Sequence, residues 1–325
     1  MAEIVLGIGT SHSPMLNTTP EIWPQHAARD EQNKSLWWNR KSHTYAELAE
    51  TAGPTLKDAL AAEVWQAKHE ANQAAIAKLA EVLTEVNPDV IVAVGDDQQE
   101  LFHEDNMPAM LVYWGETVWN RVHSGEHMPP DVALGQWGNG FDDDREFPAQ
   151  ADLGLHIIQT ALQEHFDVSH SRDWKRHGEG HAFGFVHRRL LNGRPTPIVP
   201  IVLNTFYPPN QPLPVRCFNF GESVRRAIQS WDSDARVCVL ASGGLSHFVV
   251  DEDLDRGVLA ALEQRDHAHL KGLDPALLNA GNSEIRNWIA VSAMAQDLQF
   301  KLVGYTPCYR TLAGTGGGWA FGYWD

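Results

Sequence analysis

Cysteine is scarce in this chain: three among 325 residues, at Cys217, Cys238 and Cys308, far apart and with no CxxC pair. That spacing argues against a disulfide framework and a structural zinc cluster, and it fits a reducing cytoplasm. Positive charge is also short, with 25 Lys+Arg against 42 Asp+Glu and a formal net charge of −17. No Lys/Arg run tracks a phosphate backbone, so no nucleic-acid partner is expected. No apolar stretch reaches membrane-spanning length, and the opening MAEIVLGIGT carries Glu3 and early turn residues where a signal peptide needs an apolar core. A soluble, unexported chain is expected. A dinucleotide fingerprint is missing as well, because Gly7 and Gly9 are followed by His12 where G-x-G-x-x-G requires a third glycine.

What the chain does have is enough apolar residue, 43%, to bury a full core. Its organising stretch is RVCVLASGGLSHFVV, from Arg236 to Val250. Val237-Cys238-Val239-Leu240 reads as a strand buried on both faces of a parallel sheet, and Gly243-Gly244 lets the chain turn sharply before His247. Similar apolar runs occur at 4–8, 90–94, 107–113 and 197–203. Amphipathic or helix-forming stretches lie at 59–86, 151–165, 182–191, 221–231 and 254–270, a further helix starts at Asp274-Pro275, and the last starts at Glu284. A short strand is expected at 166–169, and a closing hairpin pairs 302–313 with 319–324. With no repeat and no linker, the pattern predicts one α/β domain over 1–325: a largely parallel central sheet flanked by helices, its active site at the carboxyl ends of the strands. The polar segment 18–55 predicts a long loop insertion acting as lid, binding loop or subunit contact. Residues 125–147 read as a surface excursion.

Sixteen histidines invite a metal hypothesis without establishing one. A single histidine after a strand is more often a hydrogen-bonded loop residue than a ligand. Position narrows the field. His12 follows the first strand, the polar cluster Asp96-Asp97-Gln98-Gln99-Glu100 follows the strand at 90–94, His181 opens a helix, and His247 follows the Arg236 strand. Glu284 begins the last helix, where the dipole favours an ionised carboxylate.

That set, with Gly9-Thr10-Ser11-His12, Gly180-His181, Gly243-Gly244-Leu245-Ser246-His247 and Gly281-Asn282-Ser283-Glu284-Ile285, resembles the class III extradiol ring-cleavage dioxygenases, the family of the protocatechuate 4,5-dioxygenase catalytic subunit. The GDDQ segment and the GTGGGWAFG tail look most like the 3-O-methylgallate 3,4-dioxygenase branch. The resemblance implies Fe(II), O2 and a catechol- or gallate-type aromatic acid, with a methoxylated one favoured, cleaved beside a hydroxyl. It implies iron ligands at His12 and Glu284, an acid/base at His247, a second substrate-side histidine at His181, and a homodimer. The third ligand of the family, a histidine, falls on Gln98. An amide is a weaker, neutral donor, so either Gln98 binds the metal directly or through water, or His103 substitutes, or the site is altered. Two other readings stay open: a metal-dependent hydrolase using the same pocket, and a binding protein that has lost its iron.

Overall fold

The computed structural model describes residues 1–122 and 128–325, and of Gly53 and Pro54 only the backbone. Among the described residues one sheet of nine strands organises the chain: β1 (Glu3–Thr10), β2 (Val90–Gly95), β3 (Met110–Tyr113), β4 (Ser169–Ser171), β5 (Ile198–Leu203), β6 (Arg236–Ser242), β7 (His247–Val249), β8 (Phe300–Tyr309) and β9 (Thr315–Trp324). Their order is β7-β9-β1-β6-β2-β5-β3-β4, with β8 also paired to β9. The central run β1-β6-β2-β5 is parallel throughout. Antiparallel pairs join β9 to β1 on one side and β3 to β5 on the other.

The apolar runs behave as two-faced strands because alternate side chains enter different cores. Val90, Val92 and Val94 face one core while Ile91 and Ala93 face the other; Val237, Val239 and Ala241 divide from Cys238 and Leu240 in the same way. Each large aliphatic side chain so buried contributes about 1.5–3 kcal/mol. The first core lies under the helices Ala151–Gln163, Pro214–Ser230, Glu252–Gln264 and Ile285–Met294, and the second under Ala62–Val86 and His181–Phe185. No helix is long and apolar enough to cross a membrane among the described residues.

Several boundaries differ from those expected of the sequence. The helix read at 221–231 starts at Pro214, whose fixed φ suits the first helical turn. The stretch 254–270 is two helices, Glu252–Gln264 and His267–Gly272, separated at Arg265 with φ +55°. The short strand read at 166–169 lies at 169–171, and the helix opening at His181 continues as a π turn over Val186–Leu190. Of the excursion at 125–147, residues 125–127 lie outside the described residues; the remainder holds a helical turn, Pro130–Ala133, and a strand, Arg145–Pro148.

The segment 18–55 is not a bare loop. It contains the helix Trp23–Asp30, a hairpin of Leu36–Trp38 with Lys41–His43, and the helix Tyr45–Leu56, opened by a Thr44–Glu47 capping box. Periodicity could not reveal these short elements because distant partners hold them. Arg310 pairs with Asp30, His26 with Asp131 at 2.6 Å, Trp37 Nε1 donates to the Ala276 carbonyl, and Arg40 pairs with Asp274.

Candidate active site

The carboxyl ends of β1, β2 and β6 converge, and the polar residues just beyond them meet below a pocket of about 570 Å³, a size suited to a small molecule. The strand-end positions of His12, Gln98 and His247 are those the sequence predicts, and His181 and Glu284 join them on the pocket wall.

His12 is buried, and its tautomer follows from its partners. The Ser242 hydroxyl donates to the Ala182 carbonyl at 2.7 Å, so its only proton is spent. It therefore accepts from His12 Nδ1, 3.0 Å away, and the lone pair of His12 lies on Nε2. That nitrogen is buried with no hydrogen-bond partner, 4.0 Å from Asp96 Oδ1 and 3.9 Å from Glu284 Oε2. Burial and the neighbouring His181 lower the His12 pKa to about 3, keeping the ring neutral. A neutral imidazole fixed through its other nitrogen is what a metal ligand requires.

Asp96 is equally buried, and its Oδ1 has no hydrogen-bond partner. Burial, reinforced by Glu284, raises its pKa to about 7. Its Oδ2 accepts from the Gln98 amide nitrogen at 2.9 Å, while the Gln98 amide oxygen takes the Tyr207 hydroxyl at 3.4 Å. Gln98 thus lines the pocket with both ends engaged. Asp97 serves the backbone instead, its carboxylate accepting the N–H groups of Leu101 and Phe102 and so fixing the turn. His103 is exposed and does not line the pocket, so it does not take the position of the third ligand.

Glu284 sits at the N-cap of Ile285–Met294, immediately before the helix rather than as its first residue. Its Oε2 accepts the Gly244 N–H at 2.5 Å and its Oε1 lies 3.1 Å from His247 Nε2. Burial opposes its charge, but His247 and His12 outweigh burial and lower its pKa. The reciprocal holds for His247: burial opposes the imidazolium, and Glu284 outweighs it and raises the pKa. His247 Nδ1 donates to the Leu245 carbonyl at 3.1 Å, which leaves Nε2 as the ring nitrogen turned to Glu284. Gly281 makes this packing possible, since a Cβ there would meet the His247 carbonyl oxygen at 2.1 Å.

His181 meets the His12 ring edge-on at a centroid distance of 4.5 Å. Its Nδ1 lies 2.7 Å from Glu100 Oε2, and its backbone N–H donates to Glu100 Oε1 at 3.0 Å. Burial disfavours its charge, but Glu100 overrides burial and raises the pKa to about 10. His12, Asp96 and His181 bring one donor atom each within 4.8 Å of one another.

Asp96 and Glu100 carry no signal in the sequence that separates them from the rest of the polar cluster at 96–100, and nothing in the sequence singles out Arg29, Phe248 and Trp319, which line the pocket. Phe248 carries φ +67°, a costly conformation for an aromatic residue, and projects half-exposed at the mouth. No local pattern announces such positions. Of the other histidines near His181, His187 is buried against Glu179, and His170 is exposed and accepts from Trp114 Nε1. Neither lines the pocket.

Residues 53–314 match the family model described as the catalytic LigB subunit of aromatic ring-opening dioxygenase. The chain belongs to that family. The matched region includes Asp96, Gln98, His181, His247 and Glu284, while His12 precedes it. Dioxygenases of this LigB family are metal-dependent. Among characterised relatives, gallate dioxygenase of Pseudomonas putida is 35% identical over 105 residues, which make up 31% of this chain and 30% of that protein. The chain therefore spans under a third of the length of that relative. An uncharacterized Escherichia coli K12 protein of known structure overlays with a TM-score of 0.47 and 12% identity, over 76% of this chain and 91% of the other.

Proposed function

We propose that this LigB-family chain opens the ring of a catechol- or gallate-type aromatic acid by extradiol cleavage, using Fe(II) and O2. The observation that carries the reading is the buried, unpartnered Nε2 of a neutral His12 on the wall of a substrate-sized pocket, facing two carboxylates, Glu284 on the same wall and Asp96 buried behind it. Lone pairs and carboxylates left unsatisfied in a buried site are costly without a cation to receive them. His12 and Glu284 would hold the metal together with a donor from the end of β2. When bound, Fe(II) supplies the binding positions at which a catecholate and O2 react side by side.

The remaining work falls to side chains. His247 accepts a phenolic proton at Nε2 and later returns it. Its pKa is raised by the negative charge of Glu284, so whatever neutralises Glu284 lowers His247 and frees the base. His181, held by Glu100, donates toward a substrate hydroxyl or the oxygen-derived atom. Phe248 and Trp319 offer aromatic faces for the ring, and Arg29 supplies positive charge for a ring carboxylate at the pocket wall. 3-O-Methylgallate or a related methoxylated catechol acid is the substrate favoured by the GDDQ and GTGGGWAFG resemblance.

The test is oxygen consumption by anaerobically purified, Fe(II)-loaded protein with 3-O-methylgallate, gallate and protocatechuate. Ring-opened product formed with stoichiometric O2 supports the proposal. Conversion that persists without oxygen would favour a hydrolase, and no conversion of any catechol would favour a binding role.

A further inference from the structure

We infer that Asp96, not Gln98, is the third protein ligand of the metal, so that the site is built from one histidine and two carboxylates, and that Gln98 is a positioning residue for Asp96. This rests on the metal-dependent reading above but concerns only how this chain holds the ion.

Free valence separates the two candidates. Two donors of one first-row ion at about 2.0–2.2 Å each lie roughly 3–4 Å apart. Asp96 Oδ1 and Glu284 Oε2 stand at 4.0 and 3.9 Å from His12 Nε2, too far for hydrogen bonds and each near enough to share an ion with His12, and Asp96 also brings a donor within 4.8 Å of those of His12 and His181. Asp96 is 1% exposed, and its Oδ1 has no partner among the described residues. Gln98 is in the opposite condition. Its amide nitrogen is committed to Asp96 Oδ2, and its oxygen, the only atom able to ligate, faces the Tyr207 hydroxyl. A ligating carboxylate is commonly hydrogen-bonded through its second oxygen, which fixes the orientation of the first. Tyr207, Gln98 and Asp96 form such a chain, ending on Oδ1 in the space beside His12 and Glu284.

The exchange also accounts for the departure at Gln98. A histidine at 98 would supply a neutral ligand beside a buried aspartate. With glutamine there, the aspartate two residues earlier turns inward at the strand end and takes the role. The side chain at 98 is then selected for its hydrogen-bond donor, not for its oxygen.

The experiment is an anaerobic titration of metal-free protein with Fe(II) alone, in competition with a chelator, for wild type, Asp96→Asn, Asp96→Ala, Gln98→Ala and Gln98→Glu. Thermal unfolding of each metal-free variant reports folding. Wild type is expected to bind one ion. Both Asp96 variants should lose affinity by more than about 100-fold while remaining folded, since each removes a buried carboxylate with an unpaired oxygen. Gln98→Ala should still bind one ion, about 10-fold more weakly. Gln98→Glu should bind the ion at least as tightly as Gln98→Ala, because the repulsion between two adjacent carboxylates in the metal-free site is relieved when the cation binds. Wild-type affinity in Asp96→Asn together with lost binding in Gln98→Ala would overturn the assignment, as would a wild type that binds no Fe(II). Because catechol turnover takes no part in this readout, failure of the ring-cleavage proposal leaves the ligand assignment standing, and the reverse.

Discussion

His247 Nε2 lies 3.1 Å from Glu284 Oε1, so the group proposed as base is paired with a group proposed as ligand. Base and metal site are therefore coupled through one carboxylate. Replacing His247 with Ala should lower kcat by about 10²–10⁴-fold, the usual contribution of a positioned acid/base. It should leave one Fe(II) bound, because Glu284 keeps its Gly244 contact. Steady-state kinetics alongside metal analysis checks both halves. Loss of the metal with the activity would make His247 a structural support for Glu284.

Arg29 lines the pocket with its side chain 43% exposed, and its guanidinium contacts Asp131 at 3.2 Å. If it receives the ring carboxylate, Arg29→Gln should raise KM for a carboxylated catechol by about 10-fold with kcat little changed, the lower end of a charge-assisted hydrogen bond. An uncharged catechol should be unaffected. Equal losses for both substrates would assign Arg29 to holding the helix Trp23–Asp30 in place.

Gly281 stands against the backbone of His247. In Gly281→Ala the new methyl would meet the His247 carbonyl oxygen at 2.1 Å and its ring Cδ2 at 2.7 Å, and neither backbone can withdraw freely. The variant should lose most of its activity and about 1–3 kcal/mol of stability, the usual cost of overpacking. Urea unfolding and kinetics on the same preparation test this; unchanged activity would show that the 281 turn can move without disturbing the base.

These predictions depend on parts of the molecule that were unequally visible in the sequence. The two-faced strands at 90–95 and 198–203 were legible because continuous β-branched runs have few other uses in a soluble core. His12 and His247 were legible because they stand at the ends of such strands. The placing of Asp96 beside His12 was not, because nothing in D-D-Q-Q-E says which acid caps a turn and which is buried against the histidine. That division is decided by Asp97 taking the N–H groups of Leu101 and Phe102. The segment 18–55 hid its structure for a related reason: Asp30 and Trp37 find their partners at Arg310 and Ala276, more than two hundred residues away.

Asp255 holds the loop that carries His247. It accepts the Ser246 N–H at 2.8 Å, the Ser246 hydroxyl at 2.6 Å and the Tyr305 hydroxyl at 2.8 Å. Burial nevertheless raises its pKa to about 7. The native protein then keeps a proton that the unfolded chain releases from about pH 4 upward, so this contribution to stability is present at low pH and declines as pH rises toward 7. The stability of wild type relative to Asp255→Asn should accordingly fall between about pH 4.5 and 7.5, by at most about 1.4 kcal/mol per pH unit. Urea unfolding at the two pH values measures it, and a difference that rises with pH would mean that the hydrogen bonds outweigh burial.

On this account the pocket at the carboxyl ends of β1, β2 and β6 holds a metal site that activates a catechol toward O2. The most direct measurement is oxygen uptake on an electrode, with anaerobically prepared Fe(II)-loaded protein, 3-O-methylgallate, gallate and protocatechuate, and His247→Ala as control. Iron-dependent uptake of one O2 per ring-opened product, lost in the control, is the predicted result. Full iron occupancy with no uptake for any of the three would contradict it.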